Sequence, residues 1–185
     1  MASSPAPRSG ISLRRPPRFA TALLALLGLF GAGLVTAPAA LADTVVVHPL
    51  VARNVLSLMN QERAAHHLPA LRMNTDLINS AYRHNLTMAV QDSMAHQLPG
   101  EKDLGDRIDA AHYHWSTAGE CIGWTSDNTN TGALNIQRYM YDEKPPNDGH
   151  RQILLSHAYQ DVGVSVITDL THHRLWITED FGHLM

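Results

Sequence analysis

A single cysteine, Cys121, among 185 residues rules out any intrachain disulfide. The fold must therefore rest on a packed core rather than on cross-links. No His-Glu-x-x-His, Gly-x-Ser-x-Gly or phosphate-loop pattern occurs, which removes the commonest signatures of zinc proteases, serine hydrolases and nucleotide binders. Nothing points to an organic cofactor. After residue 42 there is no repeat and no low-complexity tract. Positive charge is scarce in the same region: all 17 acidic residues but only 10 of the 14 basic ones lie there, a net charge of −7 with histidines neutral. Phosphate contacts need clustered cations, so a nucleic-acid partner is disfavoured.

The first 42 residues differ in kind. Arg8, Arg14, Arg15 and Arg18 precede an uncharged stretch from Phe19 to Val35, and Ala40-Leu41-Ala42 supplies small residues where a signal peptidase cuts. The pattern predicts a signal peptide over 1–42, cleaved before Asp43, and a secreted product with no membrane span. The alternative is an uncleaved anchor, since about 20 apolar residues cross a bilayer. Removing 42 of 185 residues leaves 143, enough for one domain with one core.

Within that domain, residues 43–50 read as an extended lead-in. Val51, Val55, Leu58/Met59, Glu62 and Ala65 recur at helical spacing and predict a helix over 51–66, stopped at Leu68-Pro69. Asn74 or Thr75 can cap a second helix, with Leu77, Ala81, His84/Asn85 and Met88 as its inward stripe. A short turn fits Leu104–Ala111. Ala118–Trp124 suits a strand, weakened by Gly119 and Gly123. A third helix from Asn130 or Thr131 carries Ala133, Ile136 and Met140, and Glu143 continues its inward spacing. Arg151–Ser156 allows one more turn. Alternating Val162, Val164 and Val166, a polar connection over 169–173 and Leu175–Phe181 make a closing hairpin. Helices first and an antiparallel hairpin last predict an α+β fold for 51–185.

The chemistry-bearing residues are His96, Glu120, Glu143 and His150. Two imidazoles and two carboxylates are the raw material of a divalent-metal or acid/base site. His84, on a helix stripe, reads as a core histidine. Cys121 reads as a packed thiol rather than a nucleophile. His112, His114, His172 and His173 read as exposed, Trp115, Trp124 and Trp176 as core, and Arg107 as a loop tie. Asn85-Leu86-Thr87 is a glycosylation sequon placed mid-helix.

Leu58-Met59-Asn60-Gln61-Glu62-Arg63, Met94-Ala95-His96, Asp106-Arg107-Ile108, Gly119-Glu120-Cys121-Ile122, Gly149-His150-Arg151-Gln152-Ile153-Leu154 and Trp176 through Gly182 occur in that order. Together they resemble the CAP superfamily (SCP domain; cysteine-rich secretory proteins, antigen 5 and PR-1), over roughly 51–182. Cys121 departs from the family pattern, standing where asparagine is usual. The resemblance implies a three-layer α-β-α sandwich with a small antiparallel sheet. It also implies that His96, Glu120, Glu143 and His150 converge in one cleft. His96 and His150 would then be ligands to Zn2+ or another divalent cation, with Glu120 and Glu143 as orienters or a general base. The family also implies a possible apolar ligand, a lipid or sterol. The reading favoured is a secreted, non-catalytic binding module. The alternatives are a metal-assisted, peptidase-like hydrolase using the same four residues and an extracellular interaction or defence protein with a vestigial cleft.

Overall fold

The computed structural model describes residues 10–14 and 44–185. The apolar run and the expected cleavage point after Ala42 lie outside the described residues. Among the described residues no helix is long and apolar enough to cross a membrane.

The sheet has the order β1-β4-β6-β5-β2, with β1 at Ile11–Arg14, β2 at Val45–Val47, β4 at Trp115–Thr125, β5 at Asp161–Asp169 and β6 at Arg174–Leu184. All pairs along this path are antiparallel. Arg72–Met73 forms β3, which pairs parallel with the start of β5. The three long strands form the predicted hairpin plus β4, in the register Glu120↔Asp180 and Cys121↔Glu179 across β4–β6.

Helices α1 (Pro49–Ala65), α4 (Asn130–Tyr141) and α5 (Gly149–Leu154) cover one face of the sheet. Their Val55, Met59, Ala133, Met140 and Ile153 pack with Cys121, Val162, Val164, Val166, Ile177 and Phe181. Helices α2 (Thr75–Gln91) and α3 (Leu104–Ala110) cover the other face. There Met88 packs with Ile122, Ile167 and Trp176, and Leu77 with Ile108 and Tyr113. Strand alternation separates the two sets, since successive side chains point to opposite faces. The expected three-layer α-β-α sandwich is the fold observed.

Helix starts follow their caps. Asn74 accepts from the amides of Asp76 and Leu77, Asp103 from Asp106 and Thr129 from Gly132. Each side chain satisfies donors that have no partner within the helix. The lead-in is shorter than expected, because Pro49 already opens α1, a position where its missing N–H costs nothing. Gly119 and Gly123 do not weaken β4. A Cβ at Gly119 would lie 2.5 Å from the Tyr159 hydroxyl, and one at Gly123 would lie 2.8 Å from Ile136, so both make room for packing against the strand.

Candidate functional site

Glu120 sits mid-strand on β4 with its side chain turned toward α2 and α3, fully buried. Three groups meet it. Nδ1 of His96 lies 2.8 Å from Oε1. Arg107 of α3 donates from Nη2 to Oε2 at 2.5 Å. Nε2 of His84, from the inward stripe of α2, is 3.7 Å from Oε2. His96 follows α2 in a bend held by the buried Met94 and Leu98 on either side. The cluster continues outward, as Glu101 lies 2.8 Å from His84 Nδ1 and 3.3 Å from Arg107. Across the strand pair stands Asp180.

The electrostatics follow from this geometry. Burial pushes Glu120 up, but His84, His96 and Arg107 outweigh it and its carboxyl stays below the ordinary carboxylate range. For Asp180, Arg107 and Ser80 pull the same way but do not suffice. Burial and then the neighbouring Glu120 drive it well above its usual value. Arg107 is raised: burial disfavours its charge, and Glu120, Asp180 and Glu101 together restore it. One buried guanidinium thus holds one ionised carboxylate and leaves the adjacent one to take up a proton.

The second pair is Glu143 and His150. Nδ1 of His150 is 2.6 Å from Glu143 Oε1, and Oε2 accepts from the His150 backbone amide at 2.9 Å and from that of Arg151 at 3.4 Å. Glu143 was expected to extend the inward stripe of its helix. It lies instead in the connection after Tyr141, where α4 has ended, and it is aimed by the amides that open α5. A carboxylate at a helix N-terminus satisfies donors that lack intrahelical partners, and here it also grips the ring.

The structure therefore brings His96 to Glu120 and His150 to Glu143. It does not bring all four into one group: among the described residues no three His, Cys, Asp or Glu converge as a metal-binding set. Strand β1 borders the neighbourhood of each pair. Ile11 and Leu13 share a cavity of about 560 Å³ with His96, Leu104 and Trp115, while Gly10 lies against Ile153 of α5, the helix that carries His150.

A second cavity, of about 540 Å³, lies over β5 between α1 and α2. Val47, Leu56, Met73, Ile78, Tyr82 and Val164 line much of it. None of the four site residues borders it, so apolar space and the His–Glu pairs are separate places rather than one cleft.

Other expectations are met by the packing. His84 is buried and paired as a core histidine, although its partners make it part of the site, which sequence reasoning missed. Its place on the inward stripe of α2 was the available signal, and Asp180 had one too, at even spacing from Trp176 on β6. Glu101 had none. Arg107 ties the 101–107 segment to β4. Cys121 is buried, with its thiol pushed well above its usual value by burial and by Glu179, so it is no nucleophile. Asn85 is buried and donates to Ser165, which closes the sequon to modification. His172 is 2.5 Å from Asp169 in the β5–β6 turn, and His112 and His114 are exposed. Trp115 and Trp176 are core residues, and Trp124 is half-buried beneath Arg174.

Comparison with known proteins agrees with the architecture. An extracellular SCP-domain protein from Bacillus anthracis is 24% identical, with a TM-score of 0.60 over 71% of this chain and 39% of its own. An outer surface protein from Borrelia burgdorferi is 14% identical, with a TM-score of 0.63 over 76% of this chain and 100% of its own. A cysteine-rich secretory protein from Staphylococcus aureus is 21% identical, with a TM-score of 0.53 over 72% and 39%. The chain thus spans about two fifths of the first and third. No curated protein matches it. The sequence profile of the cysteine-rich secretory protein family, CAP, matches residues 56–181, and with that match the ordered motifs and the sandwich make this chain a member of the CAP family.

Proposed function

We propose that this is an exported, non-catalytic CAP binding module. In it His96 and His150 together take a divalent cation, zinc or a similar borderline ion, once residues 1–42 have been removed. The observation that carries the reading is the matched pair of imidazole–carboxylate contacts, each made through Nδ1. A carboxylate on Nδ1 fixes the ring and its tautomer and makes Nε2 the nitrogen that binds an ion. Two imidazoles leave the remaining positions to water, which suits a weak, exchangeable ion. Export rests on the leader pattern, and the Bacillus and Borrelia relatives are themselves described as extracellular and outer-surface proteins.

Binding is favoured over catalysis by the state of Glu120. A general base works best with a pKa near the operating pH, and Arg107 with two imidazoles holds this carboxylate in the opposite direction. Calorimetry with zinc on the leaderless chain tests the site. Wild type takes up zinc, and His96→Ala and His150→Ala each weaken uptake at least tenfold. Equal uptake by all three would place the metal elsewhere. Secreted product whose first residue is not Asp43 would refute the expected cleavage.

The cavity over β5 supports an apolar ligand at a second location. Its volume and mostly apolar lining suit a lipid-sized molecule. Lipid retained by wild type and lost in Leu56→Glu is the expected result. No retention above a similarly acidic control protein would remove the idea.

A further inference from the structure

Strand β1 is joined to the sheet in an unusual way. Every buried member of the three core clusters lies between Ala52 and Phe181, and β1 contributes only the half-buried Ile11 and Leu13. The strand is an addition to a core that closes without it. It nevertheless fits closely. Its register runs antiparallel, Ile11↔Glu120, Ser12↔Gly119, Leu13↔Ala118 and Arg14↔Thr117. Ile11 and Leu13 pack with Leu104 and Trp115. Ser12 Oγ meets the Tyr159 hydroxyl at 2.5 Å on the opposite face. A Cβ at Gly10 would come within 2.4 Å of Ile153 and 2.9 Å of the Glu120 carbonyl, so that position takes only a residue without a side chain. Arg14 borders the same cavity as Asp103, Asp106 and Asp109.

An edge strand left bare presents a row of unpaired N–H and C=O groups. Main-chain pairing to such an edge supplies affinity, and pockets for alternate side chains supply selectivity. The edge of β4 offers both: an apolar pocket at alternate positions, an hydroxyl partner between them, and carboxylates at one end.

We propose that the β4 edge, Thr117–Glu120, is an acceptor for a short extended peptide of the pattern glycine–aliphatic–small polar–aliphatic–basic. Gly10–Arg14 is then its built-in occupant in the uncleaved chain. The peptide borders the cavity of His96 on one side and α5, the helix that carries His150, on the other, so removal of the leader opens space beside both. Access for a peptide from another molecule rests on the proposed removal of residues 1–42. Occupancy by the chain's own segment does not.

The test uses the intact chain, produced where the leader is not cleaved, and follows amide hydrogen exchange. In wild type the edge-facing amides of Thr117–Glu120 exchange slowly. Ile11→Asp combined with Leu13→Asp speeds them at least tenfold while Val162–Val166, in the central strand, are unchanged. Gly10→Val, which adds no charge, has the same effect and serves if the double variant unfolds. A synthetic peptide of residues 9–16, added in excess to either variant, restores slow exchange, and the same peptide with both arginines changed to glutamate restores it less. Wild-type edge amides exchanging as fast as the variants' would overturn the built-in occupant. Failure of the peptide to protect the edge would overturn the acceptor. Neither result bears on cleavage, which the first residue of the secreted product decides separately.

Discussion

The two faces of the β4–β6 ribbon bury acids in opposite ways. Toward α2 and α3, Glu120 and Asp180 share Arg107, with His84 and His96 beside them. Toward α1 and α4, Glu179 stands beside Cys121 and faces Glu62 of α1, where Arg138 and Arg151 offset only part of the burial of Glu62. Burial and Glu62 push Glu179 up to about 8. Glu62 is lifted to about 7 by burial despite a 2.7 Å hydrogen bond from Gln137. Burial alone therefore does not decide the charge of a carboxyl group here. A guanidinium that donates directly to the carboxylate, as Arg107 does to Glu120, tips the balance, because a desolvated charge is tolerated only with a partner.

The comparison breaks most visibly at its cation. Arg107→Met leaves Glu120 buried without its counter-charge and is expected to cost roughly 3–5 kcal/mol, read by urea unfolding. Carboxyl-carbon NMR should show Glu120 titrating higher than in wild type. A loss under 1 kcal/mol would mean that the histidines suffice.

On the α1 and α4 face the expected change has the opposite sign. Glu62 and Glu179 bind protons more tightly folded than unfolded, so the unfolded chain ionises first as pH rises. Their contribution is full below about pH 4.5 and is lost progressively toward pH 7 to 8. Replacing Glu179 by Met should therefore stabilise the protein by about 4 kcal/mol at pH 8 and by little at pH 5. Equal gains at both values would show that packing, not ionisation, was responsible. Glu62→Gln follows the same course with a smaller gain, on the order of 3 kcal/mol at pH 8. Glu120 runs the other way: with a lowered folded pKa, its contribution is present above the unfolded value and is lost in acid. Stability from these three groups therefore peaks near pH 4.5 to 5, as a denaturation series across pH would show.

The smallest effect belongs to the rim of the cation-bearing face. Burial raises Glu101, but His84 and Arg107 more than offset it and its carboxyl is lowered overall. Glu101→Gln should cost about 1 kcal/mol at pH 7, since the amide keeps an acceptor oxygen and gives up only the charge-assisted part of the contact, and nothing once pH falls well below 4. Thermal melts at the two pH values distinguish these outcomes.

Most of the architecture was readable from spacing. The stripes of α1, α2 and α4 and the valines of β5 are periodic, and periodicity reports which side of an element is dry. The cap at Asn74 fixed the start of α2 for the same local reasons, whereas α4 takes its cap from Thr129, just before the expected Asn130 or Thr131. The site was readable only in part. His96, Glu120 and His150 stood in recognisable settings, whereas His84 was visible only as one more buried residue of a stripe. Its contact with Glu120 joins segments 36 positions apart, and no local pattern encodes that. Glu143 followed the helical period by coincidence, since α4 stops short of it and α5 amides set its direction. Strand β1 went unread although Ile11-Ser12-Leu13-Arg14 alternates like an edge strand, because the basic residues around it read as leader.

Gly163 of β5 sets one further dimension. A Cβ there would lie 2.1 Å from the Leu77 carbonyl carbon and 2.2 Å from the Ile78 nitrogen, so α2 rests main chain against main chain on the sheet. His84 lies seven residues farther along that helix, about 10 Å away at 1.5 Å per residue. The depth at which its imidazole meets Glu120 is thus governed by a hydrogen atom on a distant strand. A methyl group at 163 would act as a shim under one end of a lever, tilting α2 off its seat and lifting His84 without touching any residue of the site.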